Sequence, residues 1–241
     1  MVGWTTSWDG HTASAIDSGC LWEHAVVVMR VLVIPGAVVR SYVRPAVDAL
    51  CERGIEAHLL AAPGEPGCQA DLCRYGRGLA RQISGAGPVE LLIGLSVGAQ
   101  VAAVAASTAP AMVQQLMLIS PTVDPQVRTV PRLLGRWLAG GRRERPELFV
   151  EQRPEWWRAG LRSVARVVRS AVTVRIEDLL GNLRARLIVV HAEHDGITSH
   201  CYAATLAADH GGELLIVPNA THSWPYADVD RFADTVQRLL P

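Results

Sequence analysis

The sequence predicts an α/β fold with a mostly parallel central sheet, and three observations support this. Short apolar runs alternate with segments of helical spacing at least three times along the chain. Runs such as residues 91–93 and 116–119 have little polar interruption, which is typical of strands buried on both faces. The length of 241 residues is sufficient for one large domain of this kind. Alternating strands and helices favour right-handed crossovers, which make neighbouring strands parallel.

The first elements are bounded by clear turn signals. Residues 26–34 form an apolar run that ends at a Pro-Gly pair, which indicates a strand followed by a loop. In residues 42–53 apolar side chains recur at helical spacing, and Gly54 provides a C-terminal cap. A second strand is predicted at residues 55–61, where two Pro-Gly pairs stop it, and a second helix at residues 70–83.

The later elements continue this order. A third strand at residues 89–93 leads into an alanine-rich helix at residues 97–107, and a fourth strand follows at residues 113–119. The remaining predicted elements are a strand at 187–190, a helix at 199–209, a strand at 213–217 and a closing helix at 229–240. An Asp-Gly pair at residues 9–10 favours an N-terminal hairpin, with an irregular arm as the alternative.

The regular order is interrupted over residues 123–182. This segment carries 12 Arg against 7 acidic residues, whereas the rest of the chain carries 11 Arg against 16 acidic residues. All cationic residues of the chain are Arg, and none is Lys. The segment also contains Pro131, Pro146 and Pro154, a Gly-Gly pair and three tryptophans. We therefore predict a helical insertion between two parts of one core, residues 1–122 and 183–241.

Composition argues against several functional classes. A formal net charge of +0 provides no global field that would recruit nucleic acid or a membrane surface. The chain lacks an uninterrupted apolar run of about 18 residues, and its N-terminus lacks the basic region of a secretory signal. His191, His194, Asp195 and His200 have a spacing that fits no regular metal-ligand geometry. We therefore expect a cytoplasmic protein that acts on a small molecule without a metal or cofactor.

The most informative motif is Gly94-Leu95-Ser96-Val97-Gly98, which follows the third strand and opens the alanine-rich helix. It is the pattern of a nucleophile elbow, in which a serine occupies a sharp strand-to-helix turn and bulky neighbours would clash with the backbone. The turn brings main-chain N–H groups at a helix N-terminus towards a developing oxyanion. Alternatively, Ser96 serves only as the N-cap of the helix.

With this motif in place, the chain resembles the α/β-hydrolase superfamily over most of its length. In that family the catalytic acid follows a later strand, and the histidine follows the last strand. Asp195, after residues 187–190, corresponds to the acid, and His222, after residues 213–217, corresponds to the histidine. The resemblance implies that Ser96 attacks an acyl carbonyl, that His222 accepts the serine proton, and that Asp195 orients the imidazole ring.

The resemblance also implies an oxyanion hole and a lid. The family's loop after the first main strand corresponds to Pro35-Gly36-Ala37, where Pro35 replaces the commoner histidine. The N–H of Ala37 is then one oxyanion donor, and the N–H of Val97 is the other. Members of the family carry a lid as an insertion between later strands, and residues 123–182 match that location.

Alternatives to two of these residues remain open. Asp124, which follows the fourth strand, competes with Asp195 as the acid because some members use that position. Glu193 is a further alternative. His210 competes with His222, but it precedes the last strand, from where it would not return to the serine.

An arginine stripe in the insertion suggests a partner. Helical spacing places Arg158, Arg162 and Arg166 on one face of a helix predicted at residues 155–170, together with Arg169. One interpretation is a solvated helix face. The other is a docking surface for an acidic acyl or peptidyl carrier protein, whose phosphopantetheine arm carries a phosphate that Arg recognises well.

Three functions are compatible with these residues. The first is a hydrolase in which water resolves an acyl-Ser96 intermediate and releases the acid from an ester or thioester. The second is an acyltransferase that passes the acyl group from a carrier protein to an acceptor. The arginine-rich, lysine-free chain is typical of specialised metabolism and faintly resembles the acyltransferases of this fold in thiopeptide pathways. The third is a non-catalytic binding protein, against which the intact set of Ser96, Asp195 and His222 argues.

Overall fold

A computed structural model of the chain describes residues 30–240. Its strands are β1 (Arg30–Ile34), β2 (Glu56–Leu59), β3 (Val89–Leu95), β4 (Val113–Ile119), β5 (Arg186–Ala192) and β6 (Glu213–Val217). They form one sheet in the order β2-β1-β3-β4-β5-β6, and every neighbouring pair is parallel. The predicted parallel α/β sheet is confirmed. The hairpin predicted at residues 9–10 lies outside the described residues.

Helices flank this sheet. Within residues 30–240 they are α1 (Arg44–Glu52), α2 (Leu72–Ala86), α3 (Val97–Thr108), α4 (Val130–Gly141), α5 (Pro146–Thr173), α6 (Ile176–Leu179), α7 (His200–Asp209), α8 (Trp224–Ala227) and α9 (Val229–Gln237). A short 3-10 helix, Ser41–Val43, directly precedes α1. In this part of the chain no helix is both long enough and apolar enough to cross a bilayer.

The middle of the sheet is the core of the molecule. Ile93 of β3 lies beside Met117 of β4, which lies beside Ile188 of β5, and all three side chains are fully buried. Their apolar runs therefore mark strands covered on both faces, as predicted. Because all six strands are parallel, the loops that follow their carboxyl ends meet at one edge, where ligands bind in open α/β sheets.

The segment of residues 123–182 contains α4, α5 and α6 and connects β4 to β5. Helix α5 is broken at Gly160, whose φ of 73° and ψ of 157° are non-helical. Glycine adopts such a positive φ at little steric cost because it has no Cβ. The predicted helix at residues 155–170 is therefore interrupted, and Arg158 lies before the break while Arg162 and Arg166 lie after it. All three arginines are nevertheless exposed.

Candidate active site

Ser96 lies between β3 and α3 in a backbone conformation that few residues other than glycine adopt. Its φ is 54° and its ψ is −119°. Such a conformation costs on the order of 1–3 kcal/mol and persists only where the surroundings hold it. The N–H of Ser96 donates to the carbonyl of Ile119 at 2.9 Å, which ties the turn to the end of β4. The Ser96 side chain makes no capping hydrogen bond to α3, so its hydroxyl is not used as a helix cap.

The two glycines of the motif are required by close backbone contacts. A Cβ on Gly94 would lie 2.5 Å from the carbonyl oxygen of Gly98 and 2.6 Å from Cα of Ala99. A Cβ on Gly98 would lie 2.4 Å from the carbonyl oxygens of Ile34 and Pro35. The absence of a side chain at position 98 therefore allows the loop after β1 to pack directly against the start of α3.

We expect Gly98→Ala to destabilise the protein by about 1–3 kcal/mol and to reduce turnover, because the added methyl group forces the loop after β1 away from Ser96. Thermal unfolding and turnover of an activated ester measure the two effects. Gly85→Ala in α2 is the matched control, since a Cβ there meets nothing within 4 Å. Unchanged stability and turnover in Gly98→Ala would contradict the close contact.

Two main-chain N–H groups that flank Ser96 are free to bind a ligand. Val97 is the first residue of α3, so its N–H has no partner within the helix. Across residues 30–240, neither the N–H of Val97 nor the N–H of Ala37 donates a hydrogen bond to another protein group. The sequence-predicted oxyanion donors are thus unsatisfied in the described part of the chain.

The loop that carries Ala37 is anchored on both sides. The N–H of Gly36 donates to Oη of Tyr42 at 3.1 Å, and the N–H of Val38 donates to the carbonyl of Pro63 at 2.9 Å. A Cβ on Gly36 would lie 3.8 Å from Cβ of Ser96, which shows how closely the loop approaches the serine. Tyr42 is buried, and burial raises its pKa well above the usual range. Its hydroxyl therefore stays neutral, and the sequence did not indicate this contact.

His222 and Asp195 form a hydrogen-bonded pair at the same edge of the sheet. Nδ1 of His222 lies 2.9 Å and 3.0 Å from the two carboxylate oxygens of Asp195. The main-chain N–H groups of Ile197 and Thr198 also donate to Oδ1 of Asp195, at 2.7 Å and 2.9 Å. The side chain of Asp195 is 0% exposed and that of His222 is 10% exposed. An ionised Asp195 requires Nδ1 to be the donor, which leaves Nε2 free to accept a proton.

The two alternative acids do not contact the histidine. Asp124 is buried and accepts hydrogen bonds from the hydroxyl of Ser199 and the N–H of Gln126. Glu193 is exposed and accepts from the N–H of Asn219. Of the three carboxylates considered, only that of Asp195 is hydrogen-bonded to His222.

Ser96 and the Asp195–His222 pair are connected through the segment after β4. The hydroxyl of Thr198 donates to the carbonyl of Pro121 at 3.1 Å. The N–H of Thr122, which follows Pro121 in the chain, donates to the carbonyl of Ser96 at 3.4 Å. Among the described residues, no hydrogen bond joins the Ser96 hydroxyl to His222. Catalytic hydrogen bonds are often long before substrate binds and shorten in the substrate complex.

A model of the alpha/beta hydrolase family matches residues 31–235, a range that includes the serine turn, the acid and the histidine. The chain belongs to the alpha/beta hydrolase family. The resemblance stated from the sequence is thus confirmed, and so is the fold class that it implied. A search of curated protein sequences found no match.

Solved structures of other proteins are similar to this fold. A hydrolase from Oleispira antarctica is 13% identical, with a TM-score of 0.73 over 88% of this chain and 90% of that chain. An esterase from Thermogutta terrifontis is 19% identical, with a TM-score of 0.67 over 87% and 88%. NosK from Streptomyces actuosus is 20% identical, with a TM-score of 0.63 over 88% and 97%. At these identities the likeness shows the fold alone.

In this alpha/beta hydrolase, Asp195 and His222 shift each other's pKa values, because each charged form stabilises the other. Burial, the largest single influence, lowers the pKa of His222, but the charge and hydrogen bond of Asp195 and the charge of Glu144 together outweigh it. The pKa of His222 is therefore raised from its ordinary value of 6.5. Burial likewise raises the pKa of Asp195, but the His222 charge and the hydrogen bonds outweigh it, so the net shift is downward.

Glu144, between α4 and α5, is a site residue that the sequence did not indicate. Its Oε2 accepts from the hydroxyl of Thr221 at 3.0 Å, and its Oε1 accepts from the N–H of Ser223 at 3.4 Å. The carboxylate thus holds the residues on both sides of His222 and places negative charge near the ring. In the sequence it is one acidic residue in a run of arginines, which gives no signal of this role.

We expect Glu144→Gln to move the acidic limb of the kcat/KM profile to lower pH. A general base must be neutral in the free enzyme, so activity falls as the pH drops through its pKa. Removing a charge that raises the pKa of His222 lowers that pKa, and the limb moves with it. Glu147→Gln, at the exposed start of α5, is the control. An unmoved limb in a folded Glu144→Gln variant would show that this carboxylate does not act on the ring.

The histidine cluster near Asp195 shows no metal geometry. The rings of His191 and His200 lie 5.3 Å apart between centroids, and burial lowers the pKa of His191. Over residues 30–240 no group of three or more His, Cys, Asp or Glu side chains is arranged to hold a metal ion.

Proposed function

We propose that this alpha/beta hydrolase is a serine-dependent acyl-transfer enzyme that cleaves an ester or thioester through an acyl-Ser96 intermediate. Ser96 is the nucleophile, His222 the general base, and Asp195 the residue that orients the ring. The N–H groups of Ala37 and Val97 form the oxyanion hole. One observation carries the proposal: a buried carboxylate holds Nδ1 of His222 at the edge of the sheet where the strained serine turn lies.

The reaction follows from these groups. Nε2 of His222 takes the Ser96 proton as Oγ attacks the acyl carbonyl, and the N–H groups of Ala37 and Val97 donate to the resulting oxyanion. His222 then returns the proton to the leaving alcohol or thiol, which leaves the acyl group on Ser96. Water, activated by the same imidazole, releases the carboxylic acid and restores the serine. Each oxyanion donor contributes roughly 10²–10³ in kcat.

Pre-steady-state kinetics with a p-nitrophenyl ester tests this proposal. Rapid acylation of Ser96 predicts a burst of one p-nitrophenolate per enzyme, followed by slower turnover. Adding an amine or thiol acceptor then separates the two outcomes of the intermediate: the free acid indicates hydrolysis, and the acylated acceptor indicates transfer. Neither a burst nor steady turnover with any of a series of esters and thioesters would favour a non-catalytic binding protein on this fold.

The second candidate is an acyltransferase of specialised metabolism that receives its acyl group from an acidic carrier protein. The favouring observation is an exposed surface on α5 that combines positive charge with apolar side chains. Arg158, Arg162 and Arg166 are exposed, and Trp157 and Leu161 beside them are 87% and 88% exposed. Large exposed apolar groups among arginines are typical of interfaces rather than of solvated helix faces.

Reversing the charge of this surface tests the carrier. We expect the triple change of Arg158, Arg162 and Arg166 to Glu to weaken turnover of a carrier-linked thioester while a small aryl ester is turned over normally. The matched control changes three exposed arginines of α2, Arg74, Arg77 and Arg81, to Glu. Equal loss on both substrates, or no loss on either, would remove the docking surface from the account.

A further inference from the structure

We infer that a cavity beside the oxyanion loop binds the phosphate group of a phosphopantetheine thioester that serves as the acyl donor. The cavity has a volume of about 340 Å³. Its charged lining consists of three arginines and two glutamates, Arg40, Arg44, Arg158, Glu65 and Glu155. The inference rests on the proposed acyl-Ser96 chemistry, for which it names the class of donor.

The two glutamates are already engaged by groups of the protein. Oε2 of Glu155 accepts from the main-chain N–H groups of Arg40 and Ser41, both at 3.1 Å, and from the hydroxyl of Ser41 at 2.8 Å. Oε2 of Glu65 accepts from the N–H of Ala62 at 2.9 Å and lies 3.6 Å from Nε of Arg40. Glu155 thus holds the backbone of the loop that leads into α1, whereas Glu65 closes its own turn and pairs with the side chain of Arg40.

Two of the arginines have no acidic partner. Within the described residues, Arg44 forms no ion pair, and Arg158 forms only a hydrogen bond from Nε to the carbonyl of Pro154 at 3.3 Å. Two guanidinium groups without an acidic partner that line one cavity match an anionic phosphate, because each planar fork can bind two oxygens of a phosphate. The lining therefore favours a phosphate monoester or diester over a neutral substrate.

The cavity adjoins the loop that carries the oxyanion donor. Val38 lines the cavity and directly follows Ala37. Ser41, also in the lining, precedes Tyr42, whose Oη holds Gly36 in the loop closest to Ser96. A ligand anchored by its phosphate in this cavity therefore lies beside the loop that binds the reacting carbonyl. Phosphopantetheine carries its acyl thioester at the far end of a long, flexible chain. The thioester can therefore reach Ser96 while the phosphate stays bound in the cavity.

Two synthetic thioesters isolate the contribution of the phosphate. Acyl-phosphopantetheine and acyl-pantetheine carry the same acyl group and differ only by that phosphate. We expect the wild type to show a kcat/KM about 10-fold or more higher for the phosphorylated donor, the range of charged hydrogen bonds. Arg44→Gln combined with Arg158→Gln should remove this preference and leave acyl-pantetheine turnover unchanged. Arg81→Gln, an exposed arginine of α2, should keep it.

Binding to an inactive variant separates the cavity from the chemistry. Ser96→Ala, titrated calorimetrically with phosphopantetheine and pantetheine, should bind the phosphorylated compound more tightly, and the two Arg→Gln changes added to it should abolish the difference. Equal or absent binding of both compounds would overturn the phosphate site even if Ser96 is the nucleophile. Conversely, phosphopantetheine binding that depends on Arg44 and Arg158, together with a wild type that turns over no acyl substrate, would uphold the phosphate site and reject the proposed function.

The same variants identify the source of the phosphate. Acyl-coenzyme A and an acyl carrier protein present the same arm, one free and one attached to a protein. Because Arg158 also belongs to the exposed surface on α5, the Arg44→Gln single variant decides this point. Reduced turnover of both donors shows that the cavity binds the phosphate of either one, whereas reduced turnover of one alone identifies the donor that uses the cavity. Full turnover of both donors by the folded double variant would overturn the inference.

Discussion

Replacing Ser96 with Ala is expected to lower kcat by about 10⁴-fold or more, the largest effect of any single change to this chain. Losses of that size are found when the nucleophile of a serine enzyme is removed, because no other group can form the acyl intermediate. A φ of 54° is as unfavourable for alanine as for serine, so the Ser96→Ala variant keeps the fold and the same backbone strain. Steady-state turnover of an aryl ester, with circular dichroism as the folding check, measures the effect.

The matched control lies on α3, the helix that follows Ser96. Ser107→Ala in α3 removes a hydroxyl that donates to the carbonyl of Val104 at 3.1 Å, away from the turn. It should leave kcat within about twofold of the wild type, since surface changes outside special features have small effects. If Ser96→Ala kept a tenth or more of the wild-type rate, another group would have to be the nucleophile.

Asp195→Asn is expected to lower kcat by about 10⁴-fold, the second-largest effect. The asparagine carbonyl can still accept from the N–H groups of Ile197 and Thr198, so the turn remains satisfied. Its amide NH₂ then faces Nδ1 of His222 and forces the tautomer that carries its proton on Nε2. That ring can neither accept the Ser96 proton nor share its charge with a carboxylate.

Asp124→Asn is the comparison that decides between the two acids. Asp124 contacts Ser199 and Gln126 rather than the ring, so its replacement should leave kcat within about tenfold of the wild type after correction for folded fraction. Thermal unfolding of both variants supplies that correction. The reverse order of effects, a large loss for Asp124→Asn and a small one for Asp195→Asn, would reassign the acid.

The features that the sequence predicts well are local ones. Strand β3, the glycine-flanked serine and helix α3 occupy consecutive residues, so apolar runs and small-residue positions alone define the turn. The parallel sheet follows from the alternation of such segments. The contact between Asp195 and His222 spans 27 residues, and the chain order of the family predicts it, whereas no local pattern does.

The features that the sequence does not predict depend on contacts between distant segments. Glu144 meets Ser223 across 79 residues, and Glu155 meets Arg40 across 115 residues. No hydrophobic period or turn signal encodes such polar contacts. The sequence does not predict the break at Gly160 for a different reason: an isolated glycine inside a helical pattern is compatible with either a continuous helix or an interruption. Only packing against the rest of the fold decides between the two.

Covalent labelling tests the central claim most directly. A fluorophosphonate probe reacts with a serine whose proton is removed by a nearby base, so mass spectrometry of the labelled, digested protein locates the activated hydroxyl. The account predicts one phosphonyl adduct per chain, on the peptide containing Ser96, with labelling lost in Ser96→Ala and strongly slowed in His222→Ala. Folded wild-type protein that stays unlabelled, or that carries its adduct on a different serine, would contradict it.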